Sequence, residues 1–281
     1  MTSSTQPPFE SRFSTVDGLK IHYHDVGQGE VVILLHGGGP GATGISNYAR
    51  NVEALAKTHR VIVVDFPGYG ESDNQPIPGG LFSTMGASIV GLMDAIGIEK
   101  ASFVGNSLGG GAALHIALEH PTRVAKLVLM GTGGSLAPFS PTPTEGLGRM
   151  LQFYAGEGPS REKLRRVIEL LVYDPAQISD ELLDIRYTAA TQPKVVANPP
   201  LKGRGGQAID DLWRQPLYTI QAPTLIVWGR DDRVVPMDSA FLLLKVIPNA
   251  QLHIFPKCGH WAQWEKADEF NELVLSFLAR S

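Results

Sequence analysis

Short aliphatic runs alternate with helix-length segments over most of this chain of 281 residues. Two extended segments lie within residues 13–27, and six aliphatic runs follow: VVILLH, RVIVVDF, ASFVG, AKLVLMG, TLIVWG and QLHIF. Aliphatic strands that alternate with helices are typical of a mostly parallel sheet with helices on both faces. The sequence therefore predicts an α/β fold with eight strands, which binds ligands at the C-terminal ends of its strands.

The alternation stops between Gly134 and Leu212. A stretch rich in proline and serine, SLAPFSPTPTEG, leads into three or four amphipathic helices without a convincing strand, and the strand pattern resumes at Pro223. We therefore predict one core domain, residues 1–133 and 213–281, with a helical cap inserted at residues 134–212.

Composition narrows the choice of partner. The net charge of -4 and the isoelectric point near 6.1 give no electrostatic reason to expect nucleic acid or an anionic membrane, so a small molecule fits better. The first residues, MTSSTQPPFESRF, lack a basic region followed by an apolar stretch, and the aliphatic runs are too short to span a bilayer. We expect a soluble, cytoplasmic protein. Cys258 is the only cysteine, which excludes an intrachain disulfide and a cysteine-rich metal site.

One serine stands where an aliphatic run gives way to a helical pattern. Ser107 follows the apolar run at Phe103 and Val104, and apolar residues at helical spacing continue from Leu108 to Glu119. A sharp turn from strand to helix brings the two backbones close, so small residues are needed two positions before and after its centre. Gly105 and Gly109 meet this requirement. The turn matches the GxSxG nucleophile elbow; the alternative is a glycine-rich turn whose serine caps the helix.

A serine nucleophile needs a general base and an acid that orients the base. Of the eight histidines, His260 is the best base, because it lies on the loop after the final strand, at the edge where Ser107 must emerge. The stretch TLIVWGRDDRVVP supplies Asp231 and Asp232 directly after a strand. We predict that one of the two orients His260.

The early loop HGGGPGATG allows a competing interpretation. Gly37, Gly39 and Ala42 have the spacing of a loose dinucleotide fingerprint, and Asp65 ends the next strand, as a nicotinamide oxidoreductase would require. However, Pro40 removes an amide where a pyrophosphate needs donors. This interpretation also leaves the positions of Ser107, His260 and the two aspartates to coincidence.

The order serine, aspartate, histidine is that of the α/β-hydrolase superfamily, which the sequence resembles over essentially its full length. FPGYGESD, after Asp65, resembles a recurrent hydrolase turn. In that superfamily the acid is the fourth residue of a Gly-x-x-Asp turn, which corresponds to Asp232 after Gly229 and leaves Asp231 as a surface or turn residue. The resemblance further implies an oxyanion hole made by the backbone N–H groups of Gly38 and Leu108.

Four motifs narrow the resemblance: HGGGPGA, SNY at residues 46–48, GNSLGGG and CGHWAQWE. Together they resemble the hydrolases that cleave meta-ring-fission products in aromatic catabolism. The resemblance implies substrates of the 2-hydroxy-6-oxohexa-2,4-dienoate type, hydrolysis of the carbon–carbon bond beside the C6 ketone, and products that are a 2-hydroxypenta-2,4-dienoate and a carboxylic acid. It implies no cofactor and no metal, and a homo-oligomer, either a dimer or larger.

The substrate carries a carboxylate and an enol, which need fixed polar groups in the site. Arg186 lies beside the apolar stripe of SDELLDIRYTAA, where a charge needs a partner; it either snorkels to water, pairs with an acid such as Asp184, or binds the substrate oxygens, as the resemblance implies. The resemblance assigns further substrate contacts to Asn47, Asn106, Trp261 and Gly39.

One departure from the family pattern follows the acid. Val234 stands where some members have an aromatic residue, so we expect a wider apolar subsite that accepts a bulky C6 group. A carboxylesterase of the same fold is the main alternative function, and a non-catalytic ligand receptor is a third.

Overall fold

A single sheet organises the computed structural model, which describes residues 9–74, 79–134, 139–141, 143–201 and 212–280. Its strands are β1 (Arg12–Val16), β2 (Leu19–Val26), β3 (Val31–Leu35), β4 (Arg60–Val64), β5 (Ala101–Asn106), β6 (Val124–Met130), β7 (Thr224–Gly229) and β8 (Ala250–Phe255). They lie in the order β1-β2-β4-β3-β5-β6-β7-β8. The pairs β1–β2 and β2–β4 are antiparallel and the others are parallel, which confirms the prediction of a mostly parallel, eight-stranded sheet.

Helices cover both faces of this sheet, as the aliphatic strands predict. The helices are α1 (Gly44–Tyr48), α2 (Val52–Ala56), α3 (Leu81–Ala95), α4 (Leu108–Glu119), α5 (Glu145–Gln152), α6 (Arg161–Leu171), α7 (Asp180–Ala190), α8 (Pro193–Ala197), α9 (Asp238–Val246), α10 (Ala262–Glu265) and α11 (Ala267–Leu278). Ile33 and Leu35 of β3 pack in one core cluster with α3 and α4, whereas Val32 and Leu34 pack in another with α11. Successive side chains of a strand point to opposite faces, so both sides of β3 are buried.

Helices α5 to α8 lie between β6 and β7 and are called the helical insertion below. Ser160 and Ser179 begin α6 and α7 by accepting the N–H groups of Lys163 and Leu182, as N-cap residues do. Apolar side chains of the insertion form one cluster with Val234, Trp261 and Trp264, in which Leu164 and Leu183 are fully buried. The division into core and cap stays a prediction, because residues 135–138, 142 and 202–211 of the predicted cap lie outside the described ranges.

Long apolar helices of the kind that cross a bilayer do not occur in the described part of the chain.

Candidate active site

Ser107 occupies a strained backbone position between β5 and α4, with φ 53° and ψ −109°. A side chain at either flanking glycine would collide with backbone. A Cβ on Gly109 would lie 2.1 Å from the carbonyl oxygen of Leu35, and a Cβ on Gly105 would lie 2.4 Å from that of Gly109. The glycines are therefore required by the close approach of β3, β5 and α4, which confirms the predicted turn geometry.

Asp232 and His260 lie on the loops that follow β7 and β8, and their side chains form a buried pair. Asp232 Oδ2 is 2.8 Å from His260 Nδ1, and the two side chains are only 1% and 2% exposed. The other carboxylate oxygen of Asp232 accepts the N–H groups of Val234 at 2.8 Å and Val235 at 3.0 Å. Asp231 is 32% exposed and contacts Arg230. Asp232, and not Asp231, is thus the carboxylate that contacts the imidazole ring.

The loop after β3 is held by a neutral histidine. His36 Nε2 accepts the N–H of Phe66 at 3.1 Å, so Nδ1 is the atom that donates to the carbonyl oxygen of Gly37 at 2.7 Å. Burial lowers the pKa of His36 to about 4, which keeps the ring uncharged at neutral pH. In this position the loop places Gly38 next to Leu108. A Cβ on Gly38 would lie 3.5 Å from the Cβ of Leu108.

Two buried asparagines join helix α1 and the end of β5 to the histidine loop. Asn47 Nδ2 donates to Asn106 Oδ1 at 3.2 Å, and Asn106 Nδ2 donates to the carbonyl oxygens of His260 at 3.2 Å and Met130 at 3.4 Å. Both polar atoms of the Asn106 side chain therefore already have hydrogen-bond partners within the protein. Asn47 Oδ1 is buried and has no hydrogen-bond partner among the described residues.

Arg186 of α7 is buried, with only 1% of its surface exposed. Its Nε and Nη2 donate to the carbonyl oxygen of Pro40 at 3.3 and 3.0 Å, while Nη1 has no partner among the described residues. Asp184 does not neutralise it, because Asp184 pairs with Arg161 at 2.7 Å. The guanidinium lies 4.9 Å from the centre of the Trp261 ring. Burial lowers the pKa of Arg186 to about 10, so the side chain remains a cation at neutral pH.

These side chains surround one small chamber. It is lined by Gly37, Gly38, Gly39, Asn47, Asn106, Ser107, Met150, Leu171, Arg186, His260 and Trp261. A hydroxyl, an imidazole held by a carboxylate and a cation without a carboxylate partner in the described ranges thus share one space, an arrangement suited to acyl chemistry on an anionic molecule.

Comparisons with known proteins agree with this geometry. The family model for the alpha/beta hydrolase fold matches residues 30–267. A 2-hydroxy-6-oxo-6-phenylhexa-2,4-dienoate hydrolase of Burkholderia cepacia is 44% identical over 279 residues, which cover 96% of each chain. A 2-hydroxy-6-oxononadienedioate/2-hydroxy-6-oxononatrienedioate hydrolase of Comamonas testosteroni is 43% identical, again over 96% of each chain. The chain belongs to the meta-cleavage product hydrolases.

A solved structure supports the same assignment. A point mutant of CumD, described as a meta-cleavage product hydrolase, superposes with a TM-score of 0.85 at 38% identity and covers 96% of this chain and 98% of its own. The predicted family, its fold and its class of hydrolytic enzyme are therefore confirmed.

The competing dinucleotide interpretation finds no support in this meta-cleavage product hydrolase. It needs Asp65 free to hold a ribose, but Asp65 accepts the N–H of Gly44 at 2.7 Å and lies 2.8 Å from His22 Nδ1. No group of three or more histidine, cysteine, aspartate or glutamate side chains that could hold a metal ion comes together in the described ranges.

Sequence reasoning did not place Gly37 in the hydrolase site, and it missed two chamber residues on helices, Met150 of α5 and Leu171 of α6. On an amphipathic helix both look like ordinary core positions, so no local signal distinguishes them. Gly39 does line the chamber, and a Cβ there would lie 3.2 Å from Arg186 Nη2. Val234 does not line this chamber and packs instead towards Gly146 of α5, so its predicted effect on the subsite stays a prediction.

Proposed function

We propose that this protein hydrolyses the C5–C6 bond of 2-hydroxy-6-oxohexa-2,4-dienoate-type ring-fission products. Water supplies the hydroxyl that joins the C6 acyl carbon and the proton that goes to C5, so the products are a 2-hydroxypenta-2,4-dienoate and a carboxylic acid. The observation that carries the proposal is the buried Arg186, which has no carboxylate partner among the described residues and lies in the same chamber as Ser107. A buried cation without a counter-ion is costly, and an anionic substrate supplies the missing charge.

In this proposal Ser107 is the nucleophile and His260 the general base. The carboxylate of Asp232 accepts a hydrogen bond from Nδ1–H, which keeps the ring in the tautomer whose Nε2 can accept a proton from Ser107. The backbone N–H groups of Gly38 and Leu108 are the proposed donors to the oxyanion that develops at C6. Donors of this kind contribute about 3 kcal/mol each, because they face charge that is present only in the transition state.

The polar end of the substrate has complementary atoms on the protein. Arg186 Nη1 is a donor for the carboxylate and Asn47 Oδ1 an acceptor for the 2-hydroxyl group, and no described residue hydrogen-bonds to either atom. We propose that Asn106 also lies against this end of the substrate, and that its main role is to hold the side chain of Asn47 in position. Trp261, which is 3% exposed, and Gly39 form the adjoining wall against the planar dienoate.

The substitution Arg186→Ala tests this assignment against a simple esterase. Because the lost hydrogen bonds are to a charged group, we expect kcat/KM for 2-hydroxy-6-oxo-6-phenylhexa-2,4-dienoate to fall by about 100-fold. Hydrolysis of p-nitrophenyl acetate, which has no carboxylate, should change by less than about threefold. Arg166→Ala is the matched control, since Arg166 is an exposed arginine of the same insertion that pairs with Glu162 and leaves Asp184 on Arg161. Equal losses on both substrates would make Arg186 a structural residue and remove the main support for the proposal.

We further propose that the enzyme is a cytoplasmic homo-oligomer, a dimer or larger, as the family resemblance implies. The proposed reaction requires water and no other co-reactant. Light scattering of the purified protein measures the oligomeric state directly, and a monomeric mass would refute that part of the proposal.

A further inference from the structure

The loop that carries His260 is bound directly to the end of helix α6 in the helical insertion. The N–H of His260 donates to the carbonyl oxygen of Leu171 at 2.8 Å. Gly259 lies flat against the same segment, because a Cβ there would be 2.8 Å from the carbonyl carbon of Val172. Leu171 also lines the chamber, so the segment that contacts the histidine loop forms part of the substrate site.

One carboxylate joins these two segments. Glu265, at the end of α10, accepts the N–H of Gly259 on Oε1 at 2.7 Å and the N–H of Tyr173 on Oε2 at 2.7 Å. Gly259 immediately precedes His260, and Tyr173 follows the last turn of α6. Both partners are donors, so a carboxylate satisfies both of them, whereas an amide of the same size would turn its own NH₂ group towards one of them.

The environment of Glu265 indicates that these bonds matter to the local structure. Its side chain is partly buried, and burial raises the pKa of its carboxyl group. Its short-range partners are the two backbone N–H groups and, at 3.8 Å, the thiol of Cys258. The charge-assisted bonds from the N–H groups are stronger than neutral hydrogen bonds. These hydrogen bonds offset the cost of burying the carboxylate, and they also hold the two backbone segments together.

We propose that Glu265 is a positioning residue for His260. Glu265 binds the histidine loop to the segment after α6, so the position of the helical insertion also determines the orientation of the general base. This inference rests on the proposed role of His260 as the base. It does not depend on the identity of the substrate, because every reaction of Ser107 uses the same base. Glu265 therefore acts on turnover through His260 and not through contact with the substrate.

The substitution Glu265→Gln tests the proposal on two substrates, 2-hydroxy-6-oxo-6-phenylhexa-2,4-dienoate and p-nitrophenyl acetate. Small displacements of a catalytic group can lower a rate by up to about 100-fold, and we expect kcat to fall by about tenfold or more on both substrates. KM should change by less than about threefold, because no substrate contact is removed. Glu269→Gln is the matched control: Glu269 is an exposed glutamate on the next helix, with Lys266 4.0 Å away, and its loss should leave both rates unchanged.

A second variant removes the other half of the contact. Tyr173→Pro deletes the N–H that Glu265 Oε2 accepts, and the preceding Val172 already has the extended angles, φ −122° and ψ 156°, that a residue before proline prefers. We expect kcat to fall by about threefold or more on both substrates. This variant decides the matter if Glu265→Gln does not fold, as judged by circular dichroism.

The outcomes separate this proposal from the proposed function. A folded Glu265→Gln variant with normal kcat, or one in which only KM changes, would overturn the positioning role even if the wild-type enzyme cleaves the dienoate. If the wild-type enzyme hydrolyses only the ester, and the variant lowers that kcat, the positioning role stands while the proposed substrate is wrong.

Discussion

At the scale of the residue, the two adjacent aspartates after β7 show how environment decides a role. Asp232 contacts His260 at 2.8 Å with a side chain only 1% exposed, whereas Asp231 is 32% exposed. We expect Asp232→Asn to lower kcat by about 10³- to 10⁴-fold, because the amide would favour the wrong tautomer of His260, and Asp231→Asn to stay within about tenfold of the wild type. Steady-state kinetics of the two purified variants measures this, and the reverse ranking would mean that the wrong carboxylate has been assigned.

At the scale of the element, the backbone of helix α7 packs directly against the backbone of the loop after β3. Gly41 has φ +67°, and a Cβ there would lie 1.9 Å from the carbonyl oxygen of Arg186. Gly97 has a similar φ of +69° but no atom within 4 Å of a Cβ, which makes it a matched control for backbone strain alone. We expect Gly97→Ala to lower the free energy of unfolding by about 1 kcal/mol with normal kcat. Gly41→Ala should lower the free energy of unfolding by more than this, because the new Cβ pushes α7 away from the loop. It should also lower kcat, because the same loop carries Gly38. Thermal unfolding with kinetics tests the pair, and equal effects would contradict a direct contact.

At the scale of the whole molecule, the features that the sequence predicted are those with a local signal. The eight strands are visible as aliphatic runs, and the turn at Ser107 is visible because Gly105 and Gly109 are spaced as its crowding requires. The environment of Arg186 could not be predicted, since helical spacing allows a pair with Asp184 as readily as a buried cation. Tertiary packing decides this, because Arg161 of α6 takes Asp184.

The placement of the helical insertion on the core has no local signal either. Met150 and Leu171 become chamber residues, and Glu265 becomes a link between segments, only because α5 and α6 lie over the strand ends. The predicted subsite at Val234 depends on the same packing, which turns this side chain towards Gly146.

We propose that the chamber binds a ring-fission dienoate in preference to a simple ester, and a cleavage assay with the dienoate measures this preference. Ring-fission dienoates are yellow, so the loss of their visible absorbance reports carbon–carbon cleavage. We predict that the purified protein, without added cofactor, bleaches 2-hydroxy-6-oxo-6-phenylhexa-2,4-dienoate with a kcat/KM far above that for p-nitrophenyl acetate, because Arg186 and Asn47 hold groups that the ester lacks. Bulky C6 groups should be accepted at least as well as methyl. Rapid ester hydrolysis without bleaching, across C6 groups from methyl to multi-ring, would contradict the account.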